Sequence, residues 1–453
     1  MLQYRLFLLL ALSTAAVGYV NTISVRDKHF VDSVTGEPFF IKGVDYQPGG
    51  AAQITGTSDP LSDPSKCARD IALLRDLGIN TIRIYSVNPD LDHDRCMTML
   101  ASSGIYLILD VNTPLQNQHL NRYEPWTTYN SYYLEHVFKV VAKFSKYNNT
   151  LGFFAGNEVV NDEKSATHSP IYVKKLIGDI KQYISTAGIR PVPIGYSAAD
   201  DLSYRVSLSQ YLECDSGNFY DSVDFYGVNS YQWCGEQTIE TSGYDKLIEA
   251  YRDYTKPVIL SEFGCNRVLP RQFGEIDAIY SKRMSSVFSG GLVYEFSEEP
   301  NNYGLVKINT DNSVQILPDF KVLKHKYQNV TLLSAKELKE VADDYPVFKG
   351  PIPCAREYKN IEIRGKVAEN IAANIIKNGV TVPKSGYLAD LKRDDFESPY
   401  KIVDVDGMPW LPPEPNLKQP SSTPRTNIGN HQMSSLAVVI LVTVLSIISI
   451  KLL

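Results

Sequence analysis

No CxxC pair occurs anywhere in the 453 residues, so zinc-ribbon and thioredoxin-like motifs have no support, and neither a metal nor a cofactor is expected. Basic charge is also short: Lys plus Arg is 45 against 51 for Asp plus Glu, a net charge of −6. Neutralising nucleic-acid phosphates needs a basic excess or stripe, so a generic nucleic-acid binder is excluded. No glycine-rich phosphate loop follows the first strand-like run, which argues against a dinucleotide fold. Tryptophan is scarce at 3 residues, whereas tyrosine reaches 29 against 17 Phe. A tyrosine offers a flat apolar face and a polar tip, which suits sugar-lined clefts, although an ordinary secreted core would use it too. With 43% apolar and 21% charged residues the chain can bury a large core.

The two ends set the compartment. Residues 1–18 read as a signal peptide: Arg5, an apolar run Leu6–Leu12, then the small residues Ala16-Val17-Gly18. The apolar stretch Leu436–Leu453 has no basic tail after it. Small residues precede it (Asn427, Gly429, Asn430), the pattern of a glycolipid (GPI) attachment signal over 431–453. A single-span helix is the competing reading. These signals place the protein outside the cell, held at the plasma membrane or wall. Six cysteines (Cys67, Cys96, Cys214, Cys234, Cys265, Cys354) in a secreted chain then imply three disulfides, with the pairing open. Secretion also makes the sequons at Asn148 and Asn329 candidates for glycosylation.

Between the ends, apolar β-branched runs alternate with helical spacing. The runs fall at 39–44, 81–85, 105–110, 151–157, 193–196, 223–228, 258–262 and 292–296. Segments 66–77, 131–146, 170–187 and 275–288 carry helical periodicity, as in Leu134, Val137, Phe138, Val141 and Phe144. Eight β-then-α units predict an α/β fold, a (β/α)8 TIM barrel over 19–330, with a doubly wound sheet as the alternative. Residues 331–410 lose the pattern and form a C-terminal extension that a bridge from Cys354 would tie to the barrel. Residues 411–430 are Pro/Ser/Thr-rich and read as a stalk.

TIM-barrel chemistry sits at the C-terminal strand ends. Two of these ends finish in glutamate, Asn157-Glu158 after the fourth run and Ser261-Glu262 after the seventh. Cleaving a glycosidic bond needs such a pair, one carboxyl to protonate the leaving oxygen and one to attack or stabilise the anomeric carbon. Asn157 could donate to a sugar 2-hydroxyl.

The motifs are distinctive in combination. They include Lys42-Gly43-Val44-Asp45-Tyr46-Gln47-Pro48-Gly49-Gly50, Arg83-Ile84-Tyr85-Ser86-Val87-Asn88-Pro89 and Gly152-Phe153-Phe154-Ala155-Gly156-Asn157-Glu158. Asn229-Ser230-Tyr231-Gln232-Trp233-Cys234-Gly235, Ser261-Glu262-Phe263-Gly264-Cys265 and Tyr294-Glu295-Phe296 with Asn302-Tyr303-Gly304 complete them. Over about residues 23–330 the chain resembles the fungal glycoside hydrolase family 72, the glycolipid-anchored β-1,3-glucanosyltransferases of the cell wall, and within it the spore-wall branch most.

The resemblance implies Glu158 as acid/base and Glu262 as nucleophile. It implies glucan contacts at Tyr85, Asn157, Asp200, Arg205, Tyr231 and Tyr294, with Gln47, Asp110 and Tyr303 as further matches. It also implies the pairs Cys67–Cys96, Cys214–Cys354 and Cys234–Cys265. The expected partners are β-1,3-glucan donor and acceptor chains and a membrane reached through the anchor, with the protein itself a monomer. Only Cys354 lies beyond residue 265, so the disulfide-rich carbohydrate module of some family members is excluded. An endo-β-1,3-glucanase and a non-catalytic glucan-binding wall protein are the alternatives.

Overall fold

The computed structural model describes residues 18–218, 220–342, 351–414 and 417–420. The signal peptide before Gly18, the attachment signal with Asn427, Gly429 and Asn430, and most of the stalk lie outside the described residues. An N-terminal hairpin (β1, Ile23–Arg26; β2, His29–Asp32) precedes eight parallel strands. These are β3 (Ile41–Asp45), β4 (Thr81–Ile84), β5 (Tyr106–Asp110), β6 (Thr150–Asn157), β7 (Ile194–Ala198), β8 (Phe225–Ser230), β9 (Val258–Phe263) and β10 (Phe288–Val293). They pair in chain order, and β10 returns to β3, so the TIM barrel closes.

Covered on both faces, these strands keep the near-continuous apolar runs of buried parallel sheet. The helices between them follow local rules. Pro64–Leu77 starts where the Asp63 carboxylate accepts the Ser65 and Lys66 N–H groups, and stops at Gly78 in a left-handed turn. In Ser131–Phe144 the stripe Leu134, Val137, Phe138, Val141 and Phe144 is buried against the barrel. Inside the barrel, Phe154 and Phe225 (5.1 Å between ring centres) pack with Ile41, Ile108, Ile259 and Leu292. The hairpin plugs the lower end, with Phe30 meeting Phe225 edge-on at 5.4 Å. The C-terminal mouth stays open.

The eighth strand corrects the sequence expectation. It spans 288–293 rather than 292–296, and the helix expected at 275–288 divides into Glu275–Ile279 and Lys282–Ser285. Gly290 and Gly291 both belong to the strand. A Cβ on Gly290 would stand 2.0 Å from the Ile41 carbonyl oxygen, and its φ of +88° suits glycine alone. The hairpin and the helices Asp94–Ser102, Arg205–Glu213 and Tyr244–Tyr251 add to the segments expected from the sequence. The helix Pro318–Gln328 lies within the barrel bounds expected from the sequence.

Beyond the barrel, β11 (Val306–Ile308) and β12 (Val314–Ile316) form a hairpin that β13 (Ile402–Val403) joins in parallel. The described extension is a strap. Helix Asn370–Asn378 packs on the barrel helices Ser131–Phe144 and Pro170–Thr186. Arg95 pairs with Asp395, and the Lys418 N–H reaches the Ser102 carbonyl. Tyr387 sits between Tyr19 and Tyr147 (5.7 and 5.6 Å between ring centres) and bonds twice to Asn149. Three disulfides form, Cys67–Cys96, Cys214–Cys354 and Cys234–Cys265, the same pairs that the resemblance implies. Of the sequon residues, Asn329 is exposed and Asn148 is half-buried with its amide toward the Val20 carbonyl.

Tyr387 anchors the strap against the barrel's lower face. Tyr387→Ala is expected to lower stability by about 2–3 kcal/mol, below the cost of deleting a fully buried aromatic ring because Tyr387 is half-buried. Thermal unfolding checks this; an unchanged midpoint would mean that the strap contributes nothing to the barrel.

Candidate active site

The open mouth holds a groove of about 990 Å3. Glu158 and Glu262 both line it, as do Gln47, Tyr85, Asp110, Asn157 and Tyr294. The barrel register brings the two glutamates to one rim. Asn157 on β6 pairs with Ser197 on β7, and Asn229 on β8 pairs with Glu262 on β9. Glu158 is the first residue past β6 and adopts φ +49°, a left-handed conformation uncommon outside glycine. Its N–H stays tied to the Ser197 carbonyl at 2.9 Å while the chain turns out of the strand.

Asn229 joins the two sides. Its amide nitrogen donates to Glu158 Oε1 (2.7 Å) and to Asn157 Oδ1 (3.2 Å). Its amide oxygen accepts from the Ser197 and Ser261 hydroxyls (3.1 and 2.8 Å). Both ends of the amide are engaged, so its orientation is fixed and the Glu158 carboxylate is held with it.

Glu262 is only 7% exposed and has a different environment. Tyr85 Oη donates to its Oε1 at 2.8 Å and Tyr231 Oη to its Oε2 at 2.7 Å. Arg83 Nη1 stands 3.4 Å from Oε1. Burial raises the Glu262 pKa above the usual carboxylate range; the Arg83 charge and the two phenols pull it back, and the Glu158 charge pushes it up. Burial first, with the Glu262 charge beside it, holds both phenols well above their ordinary range, so they remain donors.

Arg83 is fixed by its own partners. Asp110 takes its Nε and Nη2 at 3.0 and 2.9 Å, and Nη1 also donates to the Ser261 carbonyl at 3.1 Å. The guanidinium lies over the rings of Tyr85 and Phe154 at 4.4 and 4.7 Å. Asp110 is thus a partner of Arg83 at the base of the groove. Gln47 also serves the frame: its Oε1 accepts the Tyr85 and Ser86 N–H groups at 2.9 and 3.1 Å.

A barrel mouth with two converging, differently held carboxylates is the arrangement of a glycoside-processing enzyme. Residues 12–331 match the family described as Glucanosyltransferase. The chain belongs to that family. It is 61% identical over 410 residues to 1,3-beta-glucanosyltransferase GAS4 of Saccharomyces cerevisiae, covering 90% of this chain and 86% of that protein. With 1,3-beta-glucanosyltransferase gel2 of Aspergillus fumigatus the identity is 40%, covering 89% and 84%. Among solved structures, Saccharomyces cerevisiae Gas2p in complex with laminaripentaose aligns with a TM-score of 0.68 at 40% identity, over 76% of each chain. A Glu-to-Gln mutant of Gas2p in complex with laminaritetraose and laminaripentaose gives the same score and identity, over 76% and 73%.

The remaining expected residues of this glucanosyltransferase lie beside the groove. Tyr231, Tyr294 and Tyr303 form an aromatic cluster, with ring centres 5.3 to 6.3 Å apart. Asp200 and Arg205 are ion-paired at 2.7 Å, and Asp200 Oδ2 accepts the Tyr231 N–H at 3.0 Å. Arg205 is buried, so it stands behind Tyr231 and braces it through Asp200. The Cys234–Cys265 bridge ties the loop bearing Tyr231 to the loop that follows Glu262.

Four residues escaped the candidate set: Arg83, Asn229, Asp45 and Glu295. Asp45 is fully buried, and neither carboxylate oxygen has a hydrogen-bond partner. Burial holds its pKa well above the usual range. Glu295 lines the groove and is pushed up to about 7 by burial and neighbouring glutamates, against hydrogen bonds from Asn301 and Tyr294. The signal was present in each case, a charged or amide residue in or next to an apolar strand run, where a side chain must find a partner or lose its charge.

A 13C-edited titration of Glu262 is expected to show a midpoint above the ordinary glutamate value. Tyr231→Phe removes a bond that favours the charged form and is expected to move the midpoint further up. A downward shift would mean that Tyr231 does not donate to Glu262.

Proposed function

We propose that the protein is an extracellular β-1,3-glucanosyltransferase that cuts a β-1,3-glucan internally and joins the new reducing end to another glucan chain with retention. The observation that carries this reading is the pair Glu158 and Glu262 in one groove, one carboxylate carried by an amide and the other by two phenols and a guanidinium. The relatives' activity and the oligosaccharides bound by Gas2p support the same substrate class.

Glu262 attacks the anomeric carbon of a glucose unit inside the donor chain. Glu158 gives its proton to the departing glycosidic oxygen, and a glycosyl ester on Glu262 remains. A 3-hydroxyl of a second glucan then loses its proton to Glu158 and displaces Glu262, re-forming a β-1,3 bond. One bond is broken and one like it is made, so no activated sugar is needed. Transfer prevails over hydrolysis when an oriented acceptor reacts before water does. The Tyr231, Tyr294 and Tyr303 rings offer flat apolar faces for that acceptor.

Secretion by residues 1–18, anchoring through 431–453 and glycosylation at Asn329 or Asn148 belong to the same reading. Three disulfides support an oxidising compartment. Wild-type protein given a reduced laminari-oligosaccharide is expected to yield products longer than the substrate, sized by mass spectrometry. Glu158→Gln and Glu262→Gln are each expected to cut this elongation by a factor of about 10² to 10⁴ or more. Wild-type product ladders from either variant would refute the assigned roles, and only shorter products from the wild type would make the protein a hydrolase.

A further inference from the structure

The barrel has two unlike poles, and the strap connects them. The groove is formed by residues at or just past the strand C-termini, such as Tyr85 after β4 and Asp110 at the end of β5. Ser102 and Gly104 come just before β5, at its other end. Arg75 closes the helix Pro64–Leu77, just before β4. These residues mark the lower pole, which the hairpin plugs.

The last part of the strap runs down the barrel side from one pole toward the other. Ser398 Oγ donates to the Ser65 carbonyl at 2.8 Å, and the Tyr400 ring centre lies 5.6 Å from the Arg69 guanidinium. Both partners sit in the first half of helix Pro64–Leu77, the end nearer the mouth. β13 then joins β12, and the Trp410 N–H returns to the Ile402 carbonyl at 2.9 Å. From there the chain descends. Arg75 Nη2 donates to the Pro413 carbonyl at 2.9 Å, and Arg393 pairs with Glu414. The Lys418 N–H reaches the Ser102 carbonyl at 2.7 Å. Its side chain lies over Gly104, where a Cβ would stand 3.1 Å from Lys418 Cε. From Ser65 to Arg75 the helix rises by about 15 Å, at 1.5 Å per residue.

We propose that this descent is a function of the strap: it makes the chain leave the barrel at the pole opposite the catalytic groove. An anchored molecule then turns its lower pole to a phospholipid headgroup surface and its groove away from it, toward the cell wall. The inference rests on the glycolipid-anchor reading of 431–453. Twelve residues separate Lys418 from Asn430, the last candidate attachment residue. Fully extended, twelve residues reach at most about 40–43 Å. With the groove turned to the membrane, that tether would have to climb back along the barrel side, which takes up much of its reach. With the groove turned away it need not climb at all. More tether conformations are compatible with the second pose, so chain entropy favours it.

The test uses the full-length protein carrying its glycolipid, reconstituted in phosphatidylcholine vesicles whose outer headgroups bear an acceptor dye. A fluorescent amino acid takes the place of Val34, 56% exposed beside the plugging hairpin, or of Val268, 49% exposed in the loop after β9. Energy transfer to the dye is expected to be severalfold stronger from position 34 than from position 268, and this comparison decides the pose by itself. Arg75→Ala combined with Lys418→Pro removes two pins of the descent and is expected to narrow the difference. Neither residue lines the groove, so elongation of soluble laminari-oligosaccharides is expected to stay at the wild-type level, which also reports that the variant is folded. Equal transfer from both positions, or stronger transfer from position 268, would overturn the orientation and leave the anchor in place. An undiminished difference in the folded double variant would overturn the strap's part in it. Protein that carries no lipid by mass spectrometry and does not float with the vesicles would overturn the anchor reading and the orientation together.

Discussion

One buried cation organises the mouth of this barrel. Arg83 projects from β4 into a space shared by four carboxyl groups, Asp45, Asp110, Glu262 and Glu295. Burying several carboxyls together is costly, and the guanidinium offsets that cost for those it reaches. Asp110 takes its fork, and the remaining nitrogen faces Glu262. Asp45, with no partner, is the group that stays protonated, and Glu295 is held near neutrality. Burial raises Glu262 as well, but the Arg83 charge and the hydrogen bonds from Tyr85 and Tyr231 pull it back, whereas Asp45 receives no hydrogen bond. A buried carboxylate nucleophile requires such partners to keep its charged form accessible.

The second constraint is positional. A nucleophile and an acid on separate strands keep their spacing only if the strands and the loops above them are rigid. The closed barrel fixes the strands, and Asn229 ties Glu158 to Ser197 and Ser261 across three of them. The Cys234–Cys265 bridge fixes the loops beside Tyr231 and Glu262. From below, the hairpin fills the barrel floor with Phe30, and the strap carrying Tyr387 holds the outer helices. Groups far from the groove therefore act on it through the stiffness of the frame.

Much of this was legible in the residues. Seven of the eight barrel strands fell on their apolar runs because parallel strands buried on both faces need them. The two glutamates stood out because they follow such runs directly. The eighth strand was displaced because its glycines serve close packing against Ile41 and Leu260, and a glycine's reason cannot be read without its neighbours. Arg205 and Gln47 show the opposite limit. Their types fit sugar recognition, and their polar atoms also brace Tyr231 and Tyr85, partners that only the fold brings together. Asn229 looked like one polar residue among several in its motif; its role depends on Glu158, 71 positions away.

The most direct measurement is to trap the covalent intermediate. A fluorinated laminari-oligosaccharide donor with a good leaving group slows the second step more than the first, so a glycosyl ester accumulates. Peptide mass mapping is expected to place the sugar on Glu262, with more label retained when Glu158 is replaced by Ala. An adduct on another residue, or inverted product with no adduct under the same conditions, would contradict the central claim.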